Sequence, residues 1–154
     1  MATNQTDRIE KKVVLKATRS RVWRALADSK EFGAWFGASF TRSFAPGATV
    51  QGTITTKGYE GFKFEITIDR MEPERFLSLR WHPYAVDPKV DYSGETPTLV
   101  AFELEEVPGG TQLKVVESGF DRIPAARRAE AFRKNDEGWG IQLKNIERHV
   151  SEAR

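Results

Sequence analysis

The stretch "AARRAEAFRKNDEGWGIQLKNIERHV", Ala125 to Val150, decides the fold. Phe132, Trp139, Leu143, Ile146 and Val150 recur along it at three- and four-residue spacing, the apolar stripe of an amphipathic helix. Pro124 stands just ahead, well placed for a first helical turn, where a proline costs no intrahelical bond. At about 1.5 Å per residue such a helix runs roughly 40 Å, enough to span a sheet from end to end. Its basic run "ARRAEAFRK" has acids interspersed and no outward aromatic strand beside it to stack bases, so it reads as a solvated face.

A stripe that long needs a surface to cover, and the preceding residues supply one. From Ser39 to Gly119 the hydrophobic period is two. "ATVQGTITTK" alternates through Val50 and Ile54, and "FKFEITID" through Phe62, Phe64, Ile66 and Ile68. "RFLSLRW" sets Leu77, Leu79 and Trp81 on one face, and "LVAFELEEV" does the same with Val100, Phe102 and Leu104. "TQLKVVESG" sends Leu113, Val115 and Glu117 to one side. "MEPE" and "PGG" are the turns. One apolar and one polar face per strand fits an antiparallel sheet covered on one side only.

Upstream, "RIEKKVVLK" puts Ile9, Val13 and Leu15 on one parity, with Lys11 the exception, and predicts a first strand. Thr18 or Ser20 can cap a helix carrying Val22, Trp23, Leu26 and Ala27. Asp28 or Ser29 can cap a second with Phe32, Trp35 and Phe36, which Gly37 ends by tolerating a left-handed backbone. Strand, two short helices, antiparallel meander and long terminal helix make up the helix-grip plan. The expected fold class is α+β, a curved sheet around the C-terminal helix, in one domain over residues 1–154 with an ordered core from about 8 to 150.

Composition narrows the function. Twenty-four Lys+Arg against 22 Asp+Glu leave a net charge of +2 without a basic block, so no nucleic-acid partner is expected. Without cysteine there is no disulfide, thiolate zinc site or cysteine-ligated iron–sulfur cluster. His82 and His149 form no ligand motif, so neither metal nor cofactor is expected. "MATNQTDRIEKK" lacks the apolar core of a secretory signal, and no run approaches the roughly 20 apolar residues of a membrane span. A cytoplasmic protein without stable membrane insertion is expected.

Catalytic motifs are absent as well: no G-x-S-x-G, P-loop or G-x-G-x-x-G occurs. Ser118 adjoins Glu117 but points to the opposite face of the strand, so the two form no nucleophile and base pair. No catalytic residue is therefore named, and Glu117 is the candidate acid/base if the protein is an enzyme. Its parity aims it between sheet and helix; at the strand end it would instead pair with an arginine such as Arg122.

Trp35, Phe36, Phe64, Trp81, Phe102 and Trp139, with Ile66, Leu79, Val115 and Leu143, converge on that same space. They are the expected ligand-binding set, with Glu117 as the polar contact. Each ring taken singly also reads as ordinary core. Tyr84 and the insertion "HPYAVDPKVDYSGETPT" stand at the expected entrance, since loops of that length tend to be lids or binding loops. Gly138 and Gly140 flank Trp139 inside the helix, where each costs about 1 kcal/mol relative to alanine. Either another group approaches the helix closely there, or the helix kinks.

"VVLKATRSRVWRALADSKEFGAWFG", "EITIDRMEPERFLSLRW" and "GGTQLKVVESGF" followed by "EGWGIQLKNIERHV" resemble the single-domain activator-of-Hsp90-ATPase-like branch of the START/Bet v 1 superfamily, from about Arg8 to Val150. The resemblance implies a cavity for a small hydrophobic ligand, lipid-like or aromatic. A cyclase, dehydratase or hydrolase in the same cavity is an alternative, and a co-chaperone or stress-response module another. The co-chaperone that names the branch engages its chaperone through an additional N-terminal domain, and only seven residues precede the first strand here. An Hsp90-type chaperone partner is thus disfavoured, while monomer and homodimer both stay open. Members often carry histidine in the last strand where this chain has Glu117, which exchanges a neutral-pH base for a carboxylate.

Overall fold

Two polar side chains divide the first helical stretch in two. Thr18 accepts from the Arg21 amide at 3.2 Å and starts α1 (Arg19–Ala27). Asp28 accepts from the Lys30 and Glu31 amides at 2.9 and 3.3 Å and starts α2 (Ser29–Phe36). Gly37, at φ +94°, ends α2 in the left-handed conformation that a side chain would resist. The computed structural model to which these elements belong describes residues 8–83, 89–92 and 94–152.

Around the helices runs one sheet. Its strands are β1 (Arg8–Leu15), β2 (Ala38–Phe40), β3 (Thr49–Ile54), β4 (Lys63–Glu72), β5 (Phe76–Trp81), β6 (Thr98–Val107) and β7 (Gly110–Ser118). They lie in the order β1-β7-β6-β5-β4-β3-β2, every pair antiparallel. The first strand therefore closes on the last, with Arg8 opposite Ser118 and Leu15 opposite Thr111. Phe120–Arg122 forms a 3-10 turn, and α3 (Ala125–Glu152) then crosses the curved inner face. The architecture is an α+β helix-grip fold.

Along α3, Ala131, Trp139, Leu143, Ile146 and Val150 are buried, and Phe132 packs edge-on to Phe120 at 5.2 Å. Hiding each large apolar side chain contributes about 1.5–3 kcal/mol. Pro124 stands just ahead of the helix, its carbonyl accepting from the Arg127 and Arg128 amides at 3.0 and 3.1 Å. Two details differ from the sequence reading. Phe62 is 36% exposed because it closes a turn on Tyr59, so the inward alternation begins at Phe64. α3 runs unbroken through Gly138 and Gly140, and a Cβ added at either would meet nothing within 4 Å. Neither a break nor a close approach by another part of the chain accounts for these glycines; alanine at Gly140 is expected to stabilise the protein by about 1 kcal/mol in urea unfolding.

The three helices are joined through Glu31. Its carboxylate accepts from Arg21 Nη1 at 2.7 Å and Arg24 Nε at 2.8 Å, and His149 Nε2 of α3 lies 3.0 Å away. Burial alone would raise the carboxyl's pKa, but the bonds from His149, Arg21 and Arg24 outweigh it and hold it below the ordinary value of 4.5. A carboxyl lowered in the folded state stabilises fully above its unfolded pKa and loses that contribution as pH falls through the folded one. Melts taken stepwise below pH 4.5 should show stability falling in the native chain and falling less in Glu31→Gln. Parallel curves would remove Glu31 as the cause.

Candidate functional site

The neighbours of Glu117 define the candidate site. β7 turns this side chain inward from beside Val100 of β6, and its exposure is 0%. Among the described residues, no arginine meets it. Oε2 accepts from Trp81 Nε1 of β5 at 2.7 Å and Thr98 Oγ1 of β6 at 2.5 Å. Oε1 accepts from Asn135 Nδ2 and Trp139 Nε1 of α3, both at 2.8 Å. Four donors match the roughly four lone-pair sites of a carboxylate, so a group costly to bury is fully engaged.

These bonds also orient the rings. With both indole N–H groups drawn to one carboxylate, Trp81 and Trp139 stack at 5.8 Å with 25° between their planes, and Phe102 meets Trp139 edge-on at 5.7 Å. Beyond the stack, Phe36 lies 5.6 Å from Trp81, while Gln142 Nε2 donates to the Phe36 carbonyl at 2.9 Å and ties the end of α2 to α3. Phe36, Trp81, Lys134, Asn135, Gly138, Trp139 and Gln142 line a cleft of about 110 Å³. Gly138 thus keeps one wall without a side chain.

The other expected ligand-binding residues take up space elsewhere. Ile66, Leu79, Phe102, Val115 and Leu143 are buried core. Trp35 is buried too and donates Nε1–H to the Ala25 carbonyl at 2.8 Å, fastening α2 to α1. Phe64 packs against Phe36 and Phe40, and Phe32 touches Trp35, Phe36, Phe40, Phe44 and Phe102. Rings fill most of the space between sheet and helix, which is why a cleft stands where the sequence suggested a hollow. Tyr84 lies outside the described residues. The described parts of the 82–98 insertion are held to α3 by Arg127, which bonds both Glu95 oxygens and the Pro83 carbonyl and lies over the Tyr92 ring.

Sequence reasoning passed over Thr98, Lys134, Asn135 and Gln142. A signal existed for two of them. Asn135 and Gln142 stand four residues before and three after Trp139, on the same helical face, and polar residues bordering a buried tryptophan are candidates to meet whatever the ring meets. Among the described residues, no helix is long and apolar enough to cross a membrane, and no cluster of three His, Cys, Asp or Glu side chains could hold a metal ion.

Solved structures share this architecture. The Mesorhizobium loti protein MLL2253 superposes with a TM-score of 0.75 at 20% identity, covering 96% of this chain and 98% of that one. The Aha1 dimer from Colwellia psychrerythraea gives 0.71 at 14% identity, with 94% and 96% covered. DynU16, from the dynemicin biosynthetic locus, gives 0.69 at 23% identity; the match covers 95% of this chain and 48% of that one. At such identities the likeness shows the fold alone. No curated protein matches the sequence significantly. The family described as Activator of Hsp90 ATPase homolog 1-like protein matches residues 16–151, nearly the whole chain, and the protein belongs to that family.

Proposed function

We propose that the protein is a binder of small single-ring molecules, held in the cleft between α3 and β5 without being chemically altered. The observation carrying this reading is the stacked pair of Trp81 and Trp139, locked edge-first by Glu117 and forming the aromatic wall of that cleft. A flat ring can extend such a stack.

Size selects the ligand class. The cleft measures about 110 Å³. Drug-sized ligands occupy about 300–1,000 Å³, whereas a cavity of about 150 Å³ accepts benzene. The cleft is smaller than that cavity, so at most a single ring enters it, and a lipid or polyketide exceeds it. Glu117 serves here as a positioning residue: both its oxygens already accept two bonds, which leaves no free lone pair for a substrate proton and disfavours the acid/base alternative.

Titration with 4-methylphenol should quench tryptophan fluorescence saturably and shift the indole N–H signals of Trp81 and Trp139. Gly138→Leu, which fills the bare wall, should weaken that binding by about tenfold or more while unfolding no earlier than the native chain, since leucine suits a helix better than glycine. If the two indoles do not respond, or respond equally in Gly138→Leu, the cleft is not a receptor.

A further inference from the structure

A second concavity lies on the outer face of the sheet, away from the aromatic cleft. The strand register sets Arg80 of β5 opposite Leu99 of β6, and Leu99 opposite Ser118 of β7. The three therefore form one row on the face turned away from α3, because their neighbours Leu79, Val100 and Glu117 point inward. Gly119, at φ +98°, then turns the chain into the 3-10 turn that brings Arg122 to the end of the row. Arg80, Pro97, Leu99, Ser118, Gly119 and Arg122 line a groove of about 230 Å³.

The charges in this groove are of one sign. Two guanidiniums border it and no acidic side chain does. Several other arginines are matched with acids, as Arg21 and Arg24 are with Glu31 and Arg127 is with Glu95. Among the described residues, by contrast, neither the Arg80 nor the Arg122 guanidinium makes an ion pair or a hydrogen bond. Like charges sharing one concavity repel, and an anion between them relieves the repulsion.

We propose that this groove binds a phosphate monoester through Arg80 and Arg122. The charge count separates a phosphate from a carboxylate: a phosphoryl monoester carries about −1.5 to −2 near neutral pH and has three acceptor oxygens. It can meet a forked donor on each side, whereas a carboxylate neutralises only one. The Ser118 hydroxyl supplies a further donor. At about 30 Å³ per water-sized group, the groove exceeds what a bare phosphate fills. The remainder, over Leu99 and Pro97, takes the organic group of the ester.

Phenyl phosphate, titrated into the full chain at low ionic strength and followed by amide NMR, tests this site. Leu99, Ser118, Gly119 and Arg122 amides and the two arginine Nε–H signals should move together and saturate. Arg80→Gln and Arg122→Gln should each weaken binding by about tenfold or more. Benzoate should bind about tenfold more weakly than phenyl phosphate. Both arginines are exposed, so the variants keep the core, and unchanged signals from Trp139 verify it. Vesicles containing phosphatidic acid form a second arm. Binding confined to the vesicles would assign a membrane surface and overturn the free ester. So would equal affinity for benzoate, indifference to both glutamine substitutions, or shifts scattered over every basic side chain. None of these outcomes depends on whether 4-methylphenol occupies the aromatic cleft.

Discussion

Glu117→Leu is expected to lower the melting temperature by about 8–16 °C, the larger of two effects the structure leads to expect. Leucine nearly preserves the side-chain volume, so the loss is one of acceptors and not of packing. Four donors lose their partner: Trp81 Nε1, Thr98 Oγ1, Asn135 Nδ2 and Trp139 Nε1. Trp81 and Asn135 border the cleft and can turn to water. Trp139 borders it as well but is only 3% exposed, and Thr98, at 0%, keeps only a 3.5 Å approach to the Trp81 carbonyl, so neither is well satisfied. A buried donor left unsatisfied costs about 1–3 kcal/mol, so two cost about 4. For a chain of this length each kcal/mol shifts the midpoint by about 2–4 °C. Glu117→Gln retains one acceptor oxygen and should fall between native and leucine variants. Thermal melts by near-ultraviolet circular dichroism read the result, and a drop below about 2 °C for leucine would mean the donor cage holds nothing together.

Gly110→Ala should cost about 3 kcal/mol or more in urea unfolding, where Gly109→Ala should cost only about 1. Both glycines have positive φ, +93° at Gly109 and +152° at Gly110. Their surroundings differ. A Cβ at Gly109 meets nothing within 4 Å, whereas one at Gly110 would stand 2.0 Å from the Leu15 carbonyl oxygen. No rotamer relieves a clash with backbone, so β1 must retreat from β7 at the end where Leu15 faces Thr111. Faster amide exchange confined to that end of the pair would locate the damage. Equal costs at the two glycines would show that Leu15 does not approach so closely.

The pair "GG" in the turn after Pro108 looks uniform in the sequence, and so do the glycines around Trp139. Only the neighbours distinguish them: the Leu15 carbonyl stands against Gly110, and open space against Gly138 and Gly140. The caps at Thr18, Asp28 and Gly37, in contrast, were legible at once, because each acts within three or four residues of itself. Alternation likewise placed Val100, Phe102, Leu113 and Val115 inside the sheet. It turned Glu117 inward too, but could not name the indoles that meet it, since those come from β5 and α3, far along the chain.

By itself, then, the sequence determined the elements, their buried faces and the helix-grip plan, all consequences of backbone sterics and of periods two and 3.6. Tertiary structure decided what remains between the elements. A cleft of about 110 Å³ is a small difference between the space a curved sheet encloses and the summed volume of the rings inside it. The outer arginines became neighbours only when strand register aligned β5, β6 and β7. Both depend on packing across long chain separations, to which local periodicity carries no information.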